Sequence, residues 1–350
     1  MQFGFRLAAL LLGLPVLSTA GRAQLAPSPD APPPASTAPA QPADDESMLT
    51  LKVNVNLVDV FFNVKDKNGD LVPHLTRNDC TISEDKQPQT LKTFVAETDL
   101  PITLGILLDT SGSQYRVLPL EQDAGSRFLE QVLRKKDEAF LLSFDVDVDL
   151  LQDYTNSAHL LARAMQKAEI NTAGGNGAAG IPGAGGGTVP VYGDPKGTLL
   201  YDAVYLASNQ KMTQETGRKA MILLTDGEDE GSDHKIGEAI AAAQRSNVMV
   251  YVILIADRAA YGGWGYSGYS AMKRMTEETG GRLIDVGNNG KKLEAAFQQI
   301  QDELRTQYVA TYTPTNTKLD GSFRRLTVEC KGDGLKIQAR RGYFASAPQQ

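Results

Sequence analysis

The chain has 350 residues and a formal net charge of -7 at pH 7. Its basic residues are interspersed with acidic ones and form no Lys/Arg stripe, which argues against nucleic acid and anionic lipid as partners. The two cysteines, Cys80 and Cys330, come with no CxxC pair and no paired histidines, so a zinc site is not expected.

The N-terminal segment, residues 1–23, has the pattern of a secretory signal peptide. Arg6 supplies a positive charge, the apolar run Leu7–Val16 is too short to cross a bilayer, and small residues follow it. An uncleaved membrane anchor is the alternative interpretation. Residues 24–50 form an Ala/Pro-rich linker without the apolar side chains that would offset the entropy of ordering it. We therefore expect a secreted, periplasmic or cell-envelope protein whose mature chain has no transmembrane segment.

Residues 51–98 predict short antiparallel strands, the N-terminal part of a β-module. Val53–Val64 alternates apolar and polar residues with one slip in phase near Leu57, which indicates a bulged strand. Asn68-Gly69 is a strong hairpin signal. A second hairpin is expected between residues 80–83 and 89–95.

In residues 99–306, apolar runs alternate with helical periodicity. The run Ile102–Leu108 is uniformly apolar, as in a central parallel strand that is buried on both faces. The alternation predicts an α/β fold, a doubly wound and mostly parallel sheet with helices on both faces. Strands are expected at 102–108, 139–144, 148–154, 220–225, 248–255 and 282–285. Helices are expected at 120–135, 157–169, 199–210, 234–246, 269–279 and 291–306.

Residues 307–345 return to strand patterns, at 308–312, 325–330 and 335–339, with a turn at Gly332-Asp333-Gly334. Because short strands flank the α/β domain at both ends, the simplest architecture is one small antiparallel β-sandwich, built from both termini, into which that domain is inserted. Cys80 and Cys330 would then share a module. A disulfide between them would close a loop of about 250 residues and stabilise the fold by at most roughly 5 kcal/mol.

Oxygen-bearing side chains follow two of the buried strands. Asp109, Ser111 and Ser113 form a D-x-S-x-S pattern directly after the first strand, at the edge where open α/β sheets bind ligands. Asp226 follows the strand 220–225, and Thr198 opens a helix upstream of it. Carboxylate and hydroxyl oxygens suit hard divalent cations, so this placement predicts a cation site.

Over residues 100–306, this arrangement resembles the metal-ion-dependent adhesion site of von Willebrand factor A (integrin I-like) domains. The resemblance implies a site for Mg²⁺ or Mn²⁺ whose ligands would be Asp109, Ser111, Ser113, Thr198 and Asp226. It also implies that the first and fourth strands are adjacent and that a carboxylate of a partner protein completes the coordination of the ion. Thr188 is an alternative ligand in the same loop. We prefer Thr198 because Leu-Leu-Tyr-Asp follows Thr198, and the resemblance implies a ligand threonine just before a helix with this pattern. A domain with this fold and no metal is the other alternative.

A narrower resemblance involves the flanking strands. Asn78-Asp79, Ser83-Glu84-Asp85 and the ending Ala339–Tyr343 are similar to segments of the exported von Willebrand A-related proteins of Acidobacteria. This similarity informs the expected fold and export more than the function.

Two loops are expected at the rim of the site. The Gly- and Ala-rich stretch 171–197 is long for a connection without structure of its own. A glycine-rich loop after the strand 248–255 carries Tyr261, Trp264 and Tyr266, which we expect to form a partner-binding rim. Packing of these aromatic side chains on the domain is the alternative.

Two acidic stretches near the site have simpler interpretations. Asp145, Asp147 and Asp149 begin like an EF-hand, but Leu150 replaces the required glycine, so a hairpin is expected and Ca²⁺ binding is the minor alternative. Residues 228–230 predict a solvated acidic loop near the cation.

These features predict an exported adhesion module that binds an acidic residue of a partner protein through a divalent cation. No catalytic base stands out, so the chain is not expected to be an enzyme. Two alternatives stay open. A metal-assisted hydrolase would need a general base, for which His234 is the candidate; a structural cell-envelope protein would bind no partner through a metal.

Overall fold

The computed structural model describes residues 57–97, 100–171, 197–256 and 267–345. Outside these residues lie the predicted signal peptide and linker, the alternative ligand Thr188, and the rim residues Tyr261, Trp264 and Tyr266. The strands are β1 (Val58–Lys65), β2 (Cys80–Glu84), β3 (Gln87–Gln89), β4 (Leu91–Glu97), β5 (Ile102–Asp109), β6 (Glu138–Phe144), β7 (Val148–Thr155), β8 (Arg218–Thr225), β9 (Val248–Leu254), β10 (Leu283–Asp285), β11 (Gln307–Tyr312), β12 (Phe323–Cys330), β13 (Lys336–Ala339) and β14 (Gly342–Phe344). The α-helices are α1 (Leu118–Val132), α2 (Ala158–Met165), α3 (Leu200–Leu206), α4 (Ile236–Arg245), α5 (Gly268–Thr279) and α6 (Gly290–Arg305).

The central sheet has the strand order β10-β9-β8-β5-β6-β7. Its strands are parallel except β7, which returns antiparallel to β6. Every residue of β5 and β8 is buried, which explains why their central residues, 104–108 and 220–224, form continuous runs without charged or alternating polar residues. The predicted mostly parallel α/β sheet is thus confirmed.

Helices cover both faces of this sheet. On one face Ile106 packs with residues of α1, α2 and α6, and on the other face the next residue, Leu107, packs with residues of α3, α4 and α5. Successive side chains of a strand point to opposite faces, so a single apolar strand can serve two cores. The helices on the two faces thus hold the ends of the central strands in fixed positions.

The two ends of the described chain build a β-module of two four-stranded sheets, ordered β13-β1-β11-β4 and β14-β12-β2-β3. Side chains of both sheets share one apolar cluster, which includes Phe62, Ile82, Tyr308 and Leu326. The predicted sandwich built from both termini is therefore present. Cys80 and Cys330 lie opposite each other on β2 and β12 and form a disulfide.

One local prediction for this module was wrong. The expected arm 89–95 is two strands, because β3 pairs with β2 whereas β4 pairs with β11 in the other sheet. The predicted turn at residues 332–334 is present, and it leads from β12 into the opposite sheet, where β13 pairs with β1. The bulge expected near Leu57 falls at the edge of the described residues and stays a prediction, while β1 from Val58 pairs with β11 in an unbroken register. The three-residue strand β14 was missed, since it is too short for alternation to be visible.

A buried ionic cluster joins the β-module to the α/β domain. Glu303, on α6, has its Oε1 2.5 Å from Lys65 Nζ and 2.6 Å from Arg282 Nη1. Its Oε2 accepts a hydrogen bond of 2.9 Å from Gln338 Nε2. Because α6 runs directly into β11, this cluster fixes the point at which the chain re-enters the β-module.

None of the helices that the structure describes combines the length and the apolar character needed to cross a bilayer.

Candidate metal centre

The two predicted acidic ligands follow neighbouring strands of the central sheet. Strands β5 and β8 run parallel, with Leu108 paired to Leu224, so Asp109 lies beside Thr225 and next to the start of the Asp226 loop. The Thr225 hydroxyl donates a hydrogen bond of 2.6 Å to Asp109 Oδ2. The first and fourth strands of the domain are therefore adjacent, as expected, and they bring both carboxylates to one edge.

The D-x-S-x-S loop folds back on its own aspartate. Ser111 donates to Asp109 Oδ1 from its backbone N–H at 3.0 Å and from its hydroxyl at 2.5 Å. The hydroxyl oxygens of Ser111 and Ser113 are 3.1 Å apart. Asp109 and Ser111 are buried whereas Ser113 is exposed, so the cluster reaches solvent on the Ser113 side.

Thr198 is joined to the same edge through the backbone. It forms an antiparallel bridge with Glu230, with N–H to O distances of 3.0 Å and 2.9 Å. Glu230 lies four residues after Asp226, so the bridge ties the Thr198 segment to the Asp226 loop. Thr198 and Asp226 are both buried. All five predicted ligands thus lie on three connected loops at the carboxyl edge of the sheet.

A glycine shapes the Asp226 loop. Gly227 has a φ of +85°, and a Cβ added there would lie 2.8 Å from Met272 Cγ and 3.1 Å from the backbone oxygen of Gly268. A side chain would therefore strain the backbone and push α5 away from the loop. The Asp-Gly pair after β8 keeps α5 packed against the site.

The acidic stretch after Asp226 is not simply a solvated loop, which corrects the sequence-based interpretation. The Glu228 carboxylate accepts backbone hydrogen bonds from Ser267 at 2.7 Å and Gly268 at 2.9 Å, at the start of α5. Asp229 Oδ1 accepts one of 3.0 Å from the N–H of Tyr201 in α3. Both acids are partly buried and hold helix N-termini near the site, where the helix dipole favours negative charge.

Asp145 organises the site although sequence reasoning assigned it only to a hairpin. Its Oδ2 accepts a 2.6 Å hydrogen bond from the Thr110 hydroxyl, and its Oδ1 accepts one of 2.9 Å from Asn171 Nδ2. Its backbone oxygen accepts from the N–H of Leu199 at 2.8 Å. Asp145 follows β6 at the same edge as Asp109, and this placement could have identified it.

Acidic groups are concentrated at the buried end of the site. Burial, together with the nearby charge of Asp226, raises the pKa of Asp109 to about 7. Burial also raises the pKa of Glu121, on α1, well above its usual range, with added contributions from Asp109 and Asp226. In the described part of the chain, neither Asp109 nor Glu121 makes an ion pair.

This donor set fits a hard divalent cation. Carboxylate and hydroxyl oxygens are the ligands that Mg²⁺ and Mn²⁺ prefer, and a hydroxyl that donates one hydrogen bond keeps lone pairs for a metal. Buried acids with raised pKa values also favour a positive charge nearby. Across the described ranges, no three Asp, Glu, His or Cys side chains are close enough to hold one metal ion, so a site here depends on the hydroxyl groups.

No family model and no curated protein matches the sequence, whereas several solved structures are similar to it. One similar structure is the conserved hypothetical protein BatB from Bacteroides thetaiotaomicron, at 16% identity and a TM-score of 0.41, covering 58% of this chain and 99% of that one. Another is a von Willebrand factor type A protein from Catenulispora acidiphila, at 10% identity and a TM-score of 0.44, covering 84% and 75%. A third is proximal thread matrix protein 1 from the mussel byssus, with a zinc-occupied MIDAS motif, at 14% identity and a TM-score of 0.44, covering 62% and 48%.

The strand order decides the fold class. With β5 and β8 adjacent at the centre and helices on both faces, the sheet has the arrangement that the sequence resemblance implies. The α/β domain has a von Willebrand A-type fold. The narrower resemblance to the proteins of Acidobacteria stays a prediction.

Proposed function

We propose that this chain is an exported adhesion module that binds a protein partner through a divalent cation, Mg²⁺ or Mn²⁺. The proposed ligands are Asp109, Ser111, Ser113, Thr198 and Asp226. The observation that carries the proposal is that these five oxygen-bearing side chains lie on connected loops at one sheet edge, around buried carboxyl groups that favour a positive charge.

The proposed ligands would have different roles in binding the ion. Asp109 is fixed by Ser111 and Thr225, so its carboxylate cannot swing away from the edge. Ser113 is the exposed member of the set, which leaves the solvent side of the site accessible to a ligand from another protein. A bound cation would supply the positive charge that a partner carboxylate requires. Three of the five proposed ligands are neutral hydroxyls, so the ion would keep more affinity for an external carboxylate than an ion held by carboxylates alone.

Exposed aromatic residues lie beside the proposed ligands. Tyr115 follows Ser113 by two residues and is 72% exposed. Tyr269 is 40% exposed at the start of α5, where Gly268 packs against the backbone of Asp226. Large aromatic side chains are frequent anchors in protein interfaces. They support a partner-binding surface at this edge, to which we also assign Tyr261, Trp264 and Tyr266 from the sequence.

We propose binding rather than catalysis. His234 is the histidine that follows Asp226 in the chain, and it would be the general base of a hydrolase. Its Nδ1 lies 2.7 Å from Asp202 Oδ1, and its ring stacks on Tyr205 with centroids 3.6 Å apart. Asp202 also accepts the backbone N–H of His234 at 2.9 Å, so these contacts secure the start of α4. Turnover of peptide, ester or phosphate substrates that is lost in Asp109→Ala would favour the hydrolase instead.

The proposal can be tested by affinity capture from the exported fraction of the native cell. The immobilised protein is loaded in Mg²⁺ and eluted with EDTA, and the eluted proteins are compared among wild type, Asp109→Ala and Ser113→Ala. We expect proteins that elute with EDTA from wild type and are absent from both variants. Equal capture by all three proteins, with no effect of EDTA, would favour a structural envelope protein without metal-dependent binding.

A further inference from the structure

A fully buried glutamate lies in the helix that follows the proposed ligands of the D-x-S-x-S loop, and the sequence did not single it out. Glu121 lies in the first turn of α1, and its backbone N–H donates to the oxygen of Val117 at 3.1 Å. The 3-10 turn Gly112–Gln114 and a short connection link it to the D-x-S-x-S loop. Its side chain is 0% exposed, which is unusual for a glutamate without a basic partner.

The carboxyl oxygens of Glu121 are unsatisfied. Among the described residues, neither Oε1 nor Oε2 has a hydrogen-bond partner. Gln114, also buried, donates from Nε2 to the Ser113 hydroxyl at 3.3 Å, but its Oε1 likewise has no partner in the described part of the chain. A buried polar atom without a partner is costly, so three such acceptors in the turn and helix that directly follow the ligand loop favour a ligand that donates hydrogen bonds.

Glu121 is electrostatically part of the site. Besides burial, the charges of Asp109 and Asp226 raise the pKa of Glu121, so its carboxyl group feels both proposed ligands. An apolar side chain would fill this core position without that cost. The residue is therefore better explained by a role toward the cation than by packing.

We propose that Glu121, together with Gln114 Oε1, forms an outer coordination shell that accepts hydrogen bonds from water molecules on the bound cation. This inference rests on the proposed metal site. An outer rather than a direct role follows because no three acidic, histidine or cysteine side chains in the described ranges are close enough to share one ion. Water bound to a cation is a strong donor, and partners of this kind orient the inner ligands of metal sites.

The proposal gives two effects of opposite sign. Replacing Glu121 by its isostere glutamine removes a buried acid from a cluster of acids, so the metal-free protein should become more stable. The same change weakens the acceptor for metal-bound water, so the protein should bind the ion less tightly. A residue with a purely structural role would change stability without changing the affinity for the ion.

Calorimetric titration with Mg²⁺ and with Mn²⁺ compares wild type, Glu121→Gln and Glu121→Met. The unfolding midpoint of each protein is also measured in EDTA. Glu303→Gln is the matched control, because Glu303 is an equally buried helical glutamate whose partners, Lys65 and Arg282, belong to the junction with the β-module. We expect both Glu121 variants to bind the ions about tenfold more weakly and to unfold at a higher temperature in EDTA. We expect the control to be destabilised with unchanged affinity.

The outcomes separate this inference from the proposed function. If wild type and both Glu121 variants bind the ions equally well, the outer-shell role is wrong and the metal site stands. If the control loses affinity as much as the Glu121 variants do, the effect is general destabilisation and the inference also fails. If wild type binds neither ion, the metal site itself is refuted and the outer shell with it.

Discussion

Replacing Asp109 by asparagine should change how the stability of the metal-free protein depends on pH. The pKa of Asp109 is raised from an ordinary value of 3.8 to about 7, because the group is buried and lies near Asp226. Each pKa unit corresponds to about 1.4 kcal/mol, so the ionised carboxylate costs the folded protein about 4 kcal/mol. Asparagine has nearly the same shape and can still accept the hydrogen bonds from Ser111, but it does not ionise.

The direction of the change in unfolding free energy with pH follows from the proton that the folded state retains. Between about pH 4 and pH 7, the folded protein keeps a proton on Asp109 that the unfolded chain has released. The free energy of unfolding must therefore fall as pH rises through this window. About 3 kcal/mol of the loss should occur between about pH 5 and about pH 8. Glu121 adds a loss in the same direction, since its pKa is also raised by burial.

Urea denaturation in EDTA at these two pH values measures the effect. Wild type should lose about 3 kcal/mol more stability than Asp109→Asn as the pH rises, and added Mg²⁺ should reduce the loss in wild type only. Ser113→Ala is the control, because it alters an exposed, uncharged ligand and should keep the wild-type slope. Equal slopes for wild type and Asp109→Asn would refute the electrostatic description of the site.

Three further predictions concern the scaffold around the site. Because Cys80 and Cys330 are bonded, intact mass before and after alkylation without reductant should reveal no free thiol, and two alkylated thiols in exported protein would contradict the bond. Replacing both cysteines by serine should lower the unfolding free energy by up to about 5 kcal/mol. Glu303→Ala leaves Lys65 and Arg282 without their buried carboxylate, so thermal denaturation should show that the free energy of unfolding falls by about 3–5 kcal/mol. A fall below about 1 kcal/mol would mean that the ionic cluster contributes little to stability. Asp145→Ala should weaken Mg²⁺ binding about tenfold in a calorimetric titration although Asp145 is not a proposed ligand, since its carboxylate holds Asn171 and Thr110, which lies between the ligands Asp109 and Ser111. Unchanged affinity would show that the ligand loop holds its position without this carboxylate.

The central sheet was predictable because its strands carry a signal that depends only on local sequence. Ile102–Asp109 and Arg218–Thr225 are buried on both faces, so the central part of each is a continuous apolar run, and the polar residue that ends it marks the ligand-binding edge. The positions of Asp109 and Asp226 follow from this pattern together with the strand order. The β-module was less predictable, since Thr90 and the turn at residues 332–334 let the chain cross between sheets, and local alternation does not say which sheet a strand joins.

The supporting residues of the site were harder to predict for a different reason. Glu121 sits on a helix whose pattern only suggests a polar position, and its burial depends on how α1 packs over the loop that carries Ser111. Asp145 and Glu228 have roles that follow from backbone groups distant in sequence, at Leu199 and Ser267. Sequence spacing predicts which side chains share a strand end, whereas these contacts depend on tertiary packing.

Direct titration of Mg²⁺ and Mn²⁺ into the purified protein tests the central claim, which is that the edge formed by β5 and β8 binds a divalent cation. Isothermal calorimetry of wild type and Asp109→Ala, each first freed of metal, gives the stoichiometry and affinity. We expect one ion bound per wild-type chain and a large loss of affinity in Asp109→Ala. Equally weak binding by the two proteins, with both correctly folded, would contradict it.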